Sequence, residues 1–125
     1  MRQGVFVAIA VLAAACGSAT TGPTGSTGPP VVTNTITITS SGVSPKNVQV
    51  SFGSRVLFVN NDSVSHDMAS DPHPEHSNCP EINQVGFLLP GQSRETGNLV
   101  IVRSCGFHDH DNPGASKLQD TIVIQ

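Results

Sequence analysis

Tryptophan and tyrosine are absent from this sequence, which contains only five phenylalanines. Its core therefore has to be built mainly from aliphatic side chains. Charged residues make up 12% of the chain, and the six Lys and Arg residues form no cluster. Nucleic-acid-binding domains neutralise phosphates with clustered basic side chains, so the composition argues against a nucleic-acid partner. No stretch has helical periodicity beyond a turn or two, which argues against a helical bundle.

One apolar stretch, Val5 to Leu12, follows Arg2 near the N-terminus. It has the arrangement of an export signal and is too short to span a bilayer. We therefore predict that residues 1–15 are a signal peptide. Cys16 follows three alanines, and this junction resembles the cleavage box of bacterial lipoproteins. The resemblance implies that Cys16 is lipidated; ordinary cleavage that leaves a free thiol is the alternative.

Residues 16–30 contain only Gly, Ser, Ala, Thr and Pro after the initial cysteine. Such a composition cannot form a packed core, so we predict a flexible tether. Together with the predicted signal peptide, the tether indicates an exported protein of the cell envelope. A lipid anchor would be its only attachment to the membrane.

The remaining residues, 31–125, show the alternation of apolar and polar side chains that is typical of β-strands. Ile36 and Ile38 alternate with threonines, and Val48 and Val50 alternate with polar residues. Turn-forming residues separate these short runs. The pattern predicts one all-β domain, a Greek-key antiparallel β-sandwich of seven to eight strands.

Two segments, residues 66–84 and 105–119, interrupt the alternation, and we expect long loops there. They contain all five histidines and both cysteines of the predicted domain. Long structured loops in compact domains usually carry function. Cys105 and His108 have a Cys-x-x-His spacing at which a turn can bring a thiolate and an imidazole to one metal ion. With His66 as a second imidazole, this set would match a blue-copper site.

Three motifs in this part of the chain resemble the cupredoxin family. Residues 42–68 contain a Ser-Pro pair, a glycine, an apolar strand and an Asn-x-Asp sequence before His66. Residues 88–93 are similar to the family's Pro-Gly-Gln-Ser turn. Residues 104–108, S-C-G-F-H, resemble its Cys-x-x-His ligand loop.

The resemblance implies a cupredoxin-like fold over residues 31–125, with copper as the cofactor and one-electron transfer as the activity. It also implies that His66, Cys105 and His108 are the copper ligands. The expected partner is then a redox protein, or a copper donor or acceptor, and the domain is expected to be a monomer.

The sequence departs from the family pattern after His108, where the family usually supplies an axial methionine. Further candidate ligands are therefore five side chains of the same two segments: His73, His76, Cys79, His110 and Met68. Three nearby carboxylates are expected to accept the second ring N–H of ligating histidines; these are Asp67, Asp109 and Asp111.

Two alternatives follow from the same residues. In an exported protein, Cys79 and Cys105 can form a disulfide, which would leave a histidine-rich copper-binding or copper-delivery protein. Residues 106–110, G-F-H-D-H, also resemble a Gly-Phe-His-x-His strand of copper–zinc superoxide dismutases. That resemblance would imply a redox enzyme, whereas the cupredoxin resemblance implies no enzymatic activity.

The predicted lipid anchor can be tested by exchanging one atom. The variant Cys16→Ser should move the protein from the membrane fraction to the soluble fraction, because a serine hydroxyl cannot carry the thioether-linked lipid. Fractionation followed by immunoblotting measures this shift. Equal partitioning of the wild type and the variant would contradict lipidation.

Overall fold

The computed structural model describes residues 28–125, so the predicted signal peptide, Cys16 and most of the predicted tether lie outside the described residues. Within this range the chain forms ten strands and two short 3₁₀ helices, and it has no α-helix. None of the described helices is long and apolar enough to cross a membrane. The strands are β1 (Val31–Val32), β2 (Thr35–Thr39), β3 (Gly42–Ser44), β4 (Val48–Val50), β5 (Leu57–Asn60), β6 (His66–Ser70), β7 (Gly86–Leu88), β8 (Ser93–Glu95), β9 (Ser104–Asp109) and β10 (Asp120–Ile124). The 3₁₀ helices span Pro80–Gln84 and Ser116–Leu118.

The strands form two sheets, one with the order β1-β4-β10-β9-β6-β7 and the other with the order β3-β2-β5-β8. This arrangement confirms the predicted all-β sandwich, although the described residues form ten strands and not the expected seven to eight. Both sheets are mixed, because β4 pairs in parallel with β1 and β10, and β2 pairs in parallel with β5. Alternation along a strand reports which side chains are buried and carries no information on strand direction, so the purely antiparallel expectation was wrong in this detail.

An aliphatic core holds the sheets together, as the composition predicts. Ile36 and Ile38 of β2 are fully buried in it. Phe58 of β5 and Phe107 of β9 meet edge to face, with ring centroids 5.2 Å apart and planes at 89°. Edge-to-face pairs of this kind add about 0.5–1.5 kcal/mol beyond area burial. Because β5 and β9 belong to different sheets, this contact joins the two layers.

A disulfide between Cys79 and Cys105 ties the segment after β6 to β9. Both cysteines are fully buried within the hydrophobic core. The bond contradicts the prediction that Cys105 is a thiolate ligand and excludes Cys79 as a sulfur ligand, since neither sulfur is free. The alternative of a Cys79–Cys105 bridge is therefore the one that the structure contains.

Replacing both cysteines by alanine should lower the free energy of unfolding by about 3–4 kcal/mol, because the unfolded chain regains the entropy of a loop closed over 26 residues. Alanine is preferred to serine here because a buried hydroxyl would add its own desolvation cost. Urea unfolding of the metal-free protein measures the difference, and alkylation of the urea-unfolded wild type under non-reducing conditions should find neither thiol reactive. Two reactive thiols in the unfolded, non-reduced domain would contradict the bridge.

Candidate metal site

The alternation of side chains along β9 decides which residues can meet. Cys105 and Phe107 lie in the core, and Asp109 is fully buried on the same side of the strand. His108 points to the opposite face of the sheet. The Cys-x-x-His prediction assumed a turn, but in an extended strand two residues three apart lie on opposite faces. The Cys105 sulfur and the His108 imidazole are therefore separated by the sheet itself.

His110 follows the end of β9 and lies on the same side as His108. Its backbone N–H donates to the carbonyl of Asp67 on β6 at 2.6 Å, so the pairing between the two strands continues through this residue. In an extended strand, a residue and the second residue after it point to the same face of the sheet, so His110 lies on the face of His108. Ala69 of β6 is the cross-strand partner of His108. Its small side chain helps to line an open cleft beside the histidines.

The other two histidines reach this face on the loop between Asp71 and Cys79. The loop is closed at its base, where the Asn78 N–H donates to the Asp71 carbonyl at 2.9 Å and the disulfide fixes Cys79. Within the loop, the His76 N–H donates to the Pro72 carbonyl at 2.7 Å. The Asn83 side-chain amide donates to the His76 carbonyl at 2.8 Å. These bonds hold the loop against the outer face of the sheet.

One ring nitrogen from each of four histidines converges at this position. All four nitrogens lie within 4.8 Å of one another, and the residues are His73, His76, His108 and His110. The Nε2 atom of His76 is 3.2 Å from Nε2 of His108 and 3.2 Å from Nδ1 of His110. Imidazole nitrogens bound to one ion at about 2.0–2.1 Å would lie about 2.9–3.4 Å apart. The two separations at His76 therefore fit ligation of a single metal ion, and the remaining nitrogens lie close enough to join it.

The convergence of nitrogens is also chemically unusual without a cation. His76 Nε2 carries at most one proton, so it cannot donate to both neighbouring ring nitrogens. Burial lowers the pKa of His76, and the adjacent rings of His108, His110 and His73 lower it further. A lowered pKa keeps the imidazole neutral, which is the form that binds a metal ion.

Exposure varies across the cluster. The His108 side chain is only 2% exposed, His76 and His110 are half-buried, and His73 is exposed. The cleft beside the cluster is lined by Asp67, Ala69, His76 and His110, among other residues. The cluster thus has a buried end on the sheet and a solvent-facing end on the loop.

His66, the fifth histidine, is not part of this cluster. Its Nδ1 atom is 2.7 Å from Asp109 Oδ2, and its Nε2 atom is 3.0 Å from Asp62 Oδ2. Met68 and Asp109 are register partners, so His66, two residues before Met68, faces the inside of the sandwich with them. His66 and His108 therefore lie on opposite faces of the sheet. The structure does not bring together the predicted ligand set of His66, Cys105 and His108.

The predicted carboxylate partners also differ from what the sequence indicated. Asp109 does accept a histidine N–H, but from His66 and not from a residue of the cluster. Asp67 and Asp111 donate their backbone N–H groups to Asp109 Oδ1. Met68, a candidate axial ligand, is fully buried in the hydrophobic core.

The carboxylate that meets the cluster is Asp71, whose Oδ1 is 2.6 Å from His108 Nδ1. Sequence reasoning missed this residue. Asp71 and His108 are 37 positions apart, and no local motif joins them. The available signal was an acidic residue two places before His73, at the start of the loop.

The buried pair of His66 and Asp109 should make folding sensitive to acid. Burial alone would raise the pKa of Asp109, but hydrogen bonds from His66, Asn112 and two backbone N–H groups lower it below 3.8. A hydrogen bond from His66 likewise lowers the pKa of Asp62. A depressed folded-state pKa contributes stability that is present above the unfolded value and is lost as pH falls through the folded value.

We therefore expect the free energy of unfolding of the metal-free protein to fall steeply below about pH 3.8. The variant Asp109→Asn should be less stable at neutral pH and should show a shallower decline in acid. Urea unfolding between pH 7 and pH 2.5 measures both effects. Asp111→Asn is the control, because that side chain is exposed; identical acid profiles for all three proteins would contradict the assignment.

No family model matches the sequence, and no curated protein matches it. Solved structures do match. A purple cupredoxin from Nitrosopumilus maritimus superposes with a TM-score of 0.58 and 18% identity, covering 74% of this chain and 100% of that chain. The oxidised form of plastocyanin from Dryopteris crassirhizoma superposes with a TM-score of 0.57 and 15% identity, covering 73% of this chain and 99% of that chain. A methionine-to-alanine mutant of amicyanin with Cu(I) superposes with a TM-score of 0.58 and 11% identity, covering 73% of this chain and 80% of that chain.

Proposed function

We propose that this domain, which has the cupredoxin fold, binds one copper ion through His73, His76, His108 and His110. The single observation that carries the proposal is the convergence of four imidazole nitrogens on one face of the sheet. Imidazole is a good ligand for copper, zinc, iron and nickel. Copper is preferred among these because proteins with this fold include one whose description names Cu(I).

The ligand set differs from that of a blue-copper site. A blue site requires a cysteine thiolate, and the sulfur of Cys105 is bonded to Cys79. Copper held by nitrogen ligands alone favours the tetragonal geometry of Cu(II). The function that these residues support best is therefore copper binding and delivery. We propose the cell envelope as its place, because the sequence predicts export and a lipid anchor at Cys16.

The distribution of the four ligands fits binding and release. His108 is buried on the sheet, while His73 is exposed on the loop. An exposed ligand can be displaced by an incoming ligand of a partner protein before the buried one is released. A copper donor or acceptor protein is therefore the partner class that we propose, with the domain acting as a monomer.

One-electron transfer is the second candidate, because the fold is shared with plastocyanin, which is described in an oxidised form, and with a Cu(I) amicyanin variant. An electron carrier holds its copper through both oxidation states, whereas a delivery protein gives it up. Copper transfer to a competing chelator, compared with the rate of electron exchange, discriminates between the two. Catalysis of superoxide dismutation by the copper-loaded protein would instead favour a redox enzyme.

Titration with Cu(II) should give one bound ion per chain, with a weak visible spectrum and electron paramagnetic resonance couplings to several nitrogens. Alanine replacement of any one of the four cluster histidines should weaken binding by about 100-fold or more, since even outer partners of metal ligands contribute 10- to 100-fold. Isothermal titration calorimetry against a chelator of known affinity measures the loss.

The fifth histidine provides the matched control. His66→Asn removes one imidazole outside the cluster and should leave the stoichiometry and nitrogen couplings of copper unchanged, provided that circular dichroism shows a folded protein. An intense blue colour that disappears in Cys105→Ser would contradict the histidine-only site. Equal copper affinity in the wild type and all four cluster variants would contradict it as well.

A further inference from the structure

The carboxylate of Asp71, which is 42% exposed, forms a pair with the buried imidazole of His108. Asp71 Oδ1 lies 2.6 Å from His108 Nδ1, which is the ring nitrogen directed away from the other histidines. The opposite ring nitrogen, Nε2, is the one that lies 3.2 Å from His76. An ionised carboxylate only accepts hydrogen bonds, so this contact requires a proton on His108 Nδ1.

The backbone around Asp71 holds its side chain in this place. Its N–H donates to the Gly106 carbonyl at 3.0 Å, which extends the pairing of β6 with β9 by one residue. Its carbonyl accepts hydrogen bonds from the Ser70 hydroxyl and the Asn78 N–H. Asp71 is therefore the point at which the strand ends and the histidine-bearing loop begins.

Gly106 leaves the space that the carboxylate occupies. A Cβ atom at this position would overlap Asp71 Oδ2 and lie 3.0 Å from its Cγ. Real Cβ atoms do not overlap a neighbour in this way, so any side chain at residue 106 would displace the carboxylate from His108. The contact of Asp71 with His108 therefore depends on the absence of a side chain at Gly106.

We propose that Asp71 is a positioning residue for the metal site, which holds His108 as the Nδ1–H tautomer and so presents the Nε2 lone pair to the ion. Gly106 makes that contact possible. The inference rests on the proposed function, because it concerns a ligand of the same site. The carboxylate also makes the imidazole a stronger donor to the metal, and such outer partners are worth roughly 10- to 100-fold in metal affinity.

The arrangement makes His108 the fixed ligand of the four. It lies on a strand, it is 2% exposed, and its ring orientation is set by Asp71. His73 and His76 lie on the loop that starts directly after Asp71. One residue thus connects the end of β6, the start of the loop and the orientation of the buried ligand.

The test compares Asp71→Ala with Gly106→Ala, which removes the same contact by displacing the carboxylate. Glu75→Ala is the control, because it removes an exposed acid from the loop between His73 and His76. Nitrogen-15 chemical shifts of the His108 ring, recorded on the metal-free proteins, report the tautomer directly. Competition with a chelator then reports Cu(II) affinity.

In the wild type and Glu75→Ala we expect His108 to be the Nδ1–H tautomer alone. Asp71→Ala and Gly106→Ala should each show a mixture of tautomers and a roughly 10- to 100-fold weaker Cu(II) complex. A pure Nδ1–H tautomer in Asp71→Ala would overturn the inference, as would an altered tautomer with unchanged Cu(II) affinity. If Gly106→Ala does not fold, Asp71→Ala decides alone.

Failure of the proposed function appears elsewhere in the same experiment. It would show as wild-type protein that keeps the expected His108 tautomer but binds no copper. Failure of the inference shows as a different His108 tautomer in the wild type or as the unexpected results in the variants, with copper binding intact in the wild type. The metal-free tautomer measurement therefore separates the two.

Discussion

The register between β6 and β9 is the constraint on which the site depends. Their backbone hydrogen bonds pair Met68 with Asp109 and Ala69 with His108. Because side chains alternate, one side of β9 contributes Cys105 to the core while the other side presents imidazole to the surface. The disulfide and the histidine cluster can then share one strand without competing for the same space.

The buried network around His66 stabilises this register from the inside. Asp109 accepts hydrogen bonds from the His66 ring, from the Asn112 side chain and from the backbone N–H groups of Asp67 and Asp111. Burial of a carboxylate is tolerated only when its hydrogen bonds are satisfied in this way. Since Asp109 lies between His108 and His110, fixing its side chain also fixes the backbone that carries two ligands.

Alternation in the sequence was sufficient to predict the fold class, because Ile36 and Ile38 could be buried only on one face of a strand. It could not predict that residues 105–111 begin as a strand. Six of these seven residues are a cysteine, a glycine, two histidines and two aspartates, and they extend because β6 and β10 supply backbone partners. The predicted ligands His66 and Cys105 were identified by resemblance to motifs, whereas one of the two carboxylates that contact His66 is the distant Asp109.

Two of the clustered histidines lie on or directly after a strand, and two lie on a loop that a disulfide anchors. A site built only on the sheet would hold one geometry in both oxidation states of copper, which suits electron transfer. A site with two loop ligands, one of them the exposed His73, is accessible to an incoming ligand from solvent. The Asn78–Asp71 hydrogen bond and the disulfide at Cys79 close the base of that loop, so its two ligands stay close to His108. The exposure of a loop ligand beside a buried sheet ligand is the physical reason that we propose metal delivery ahead of electron transfer.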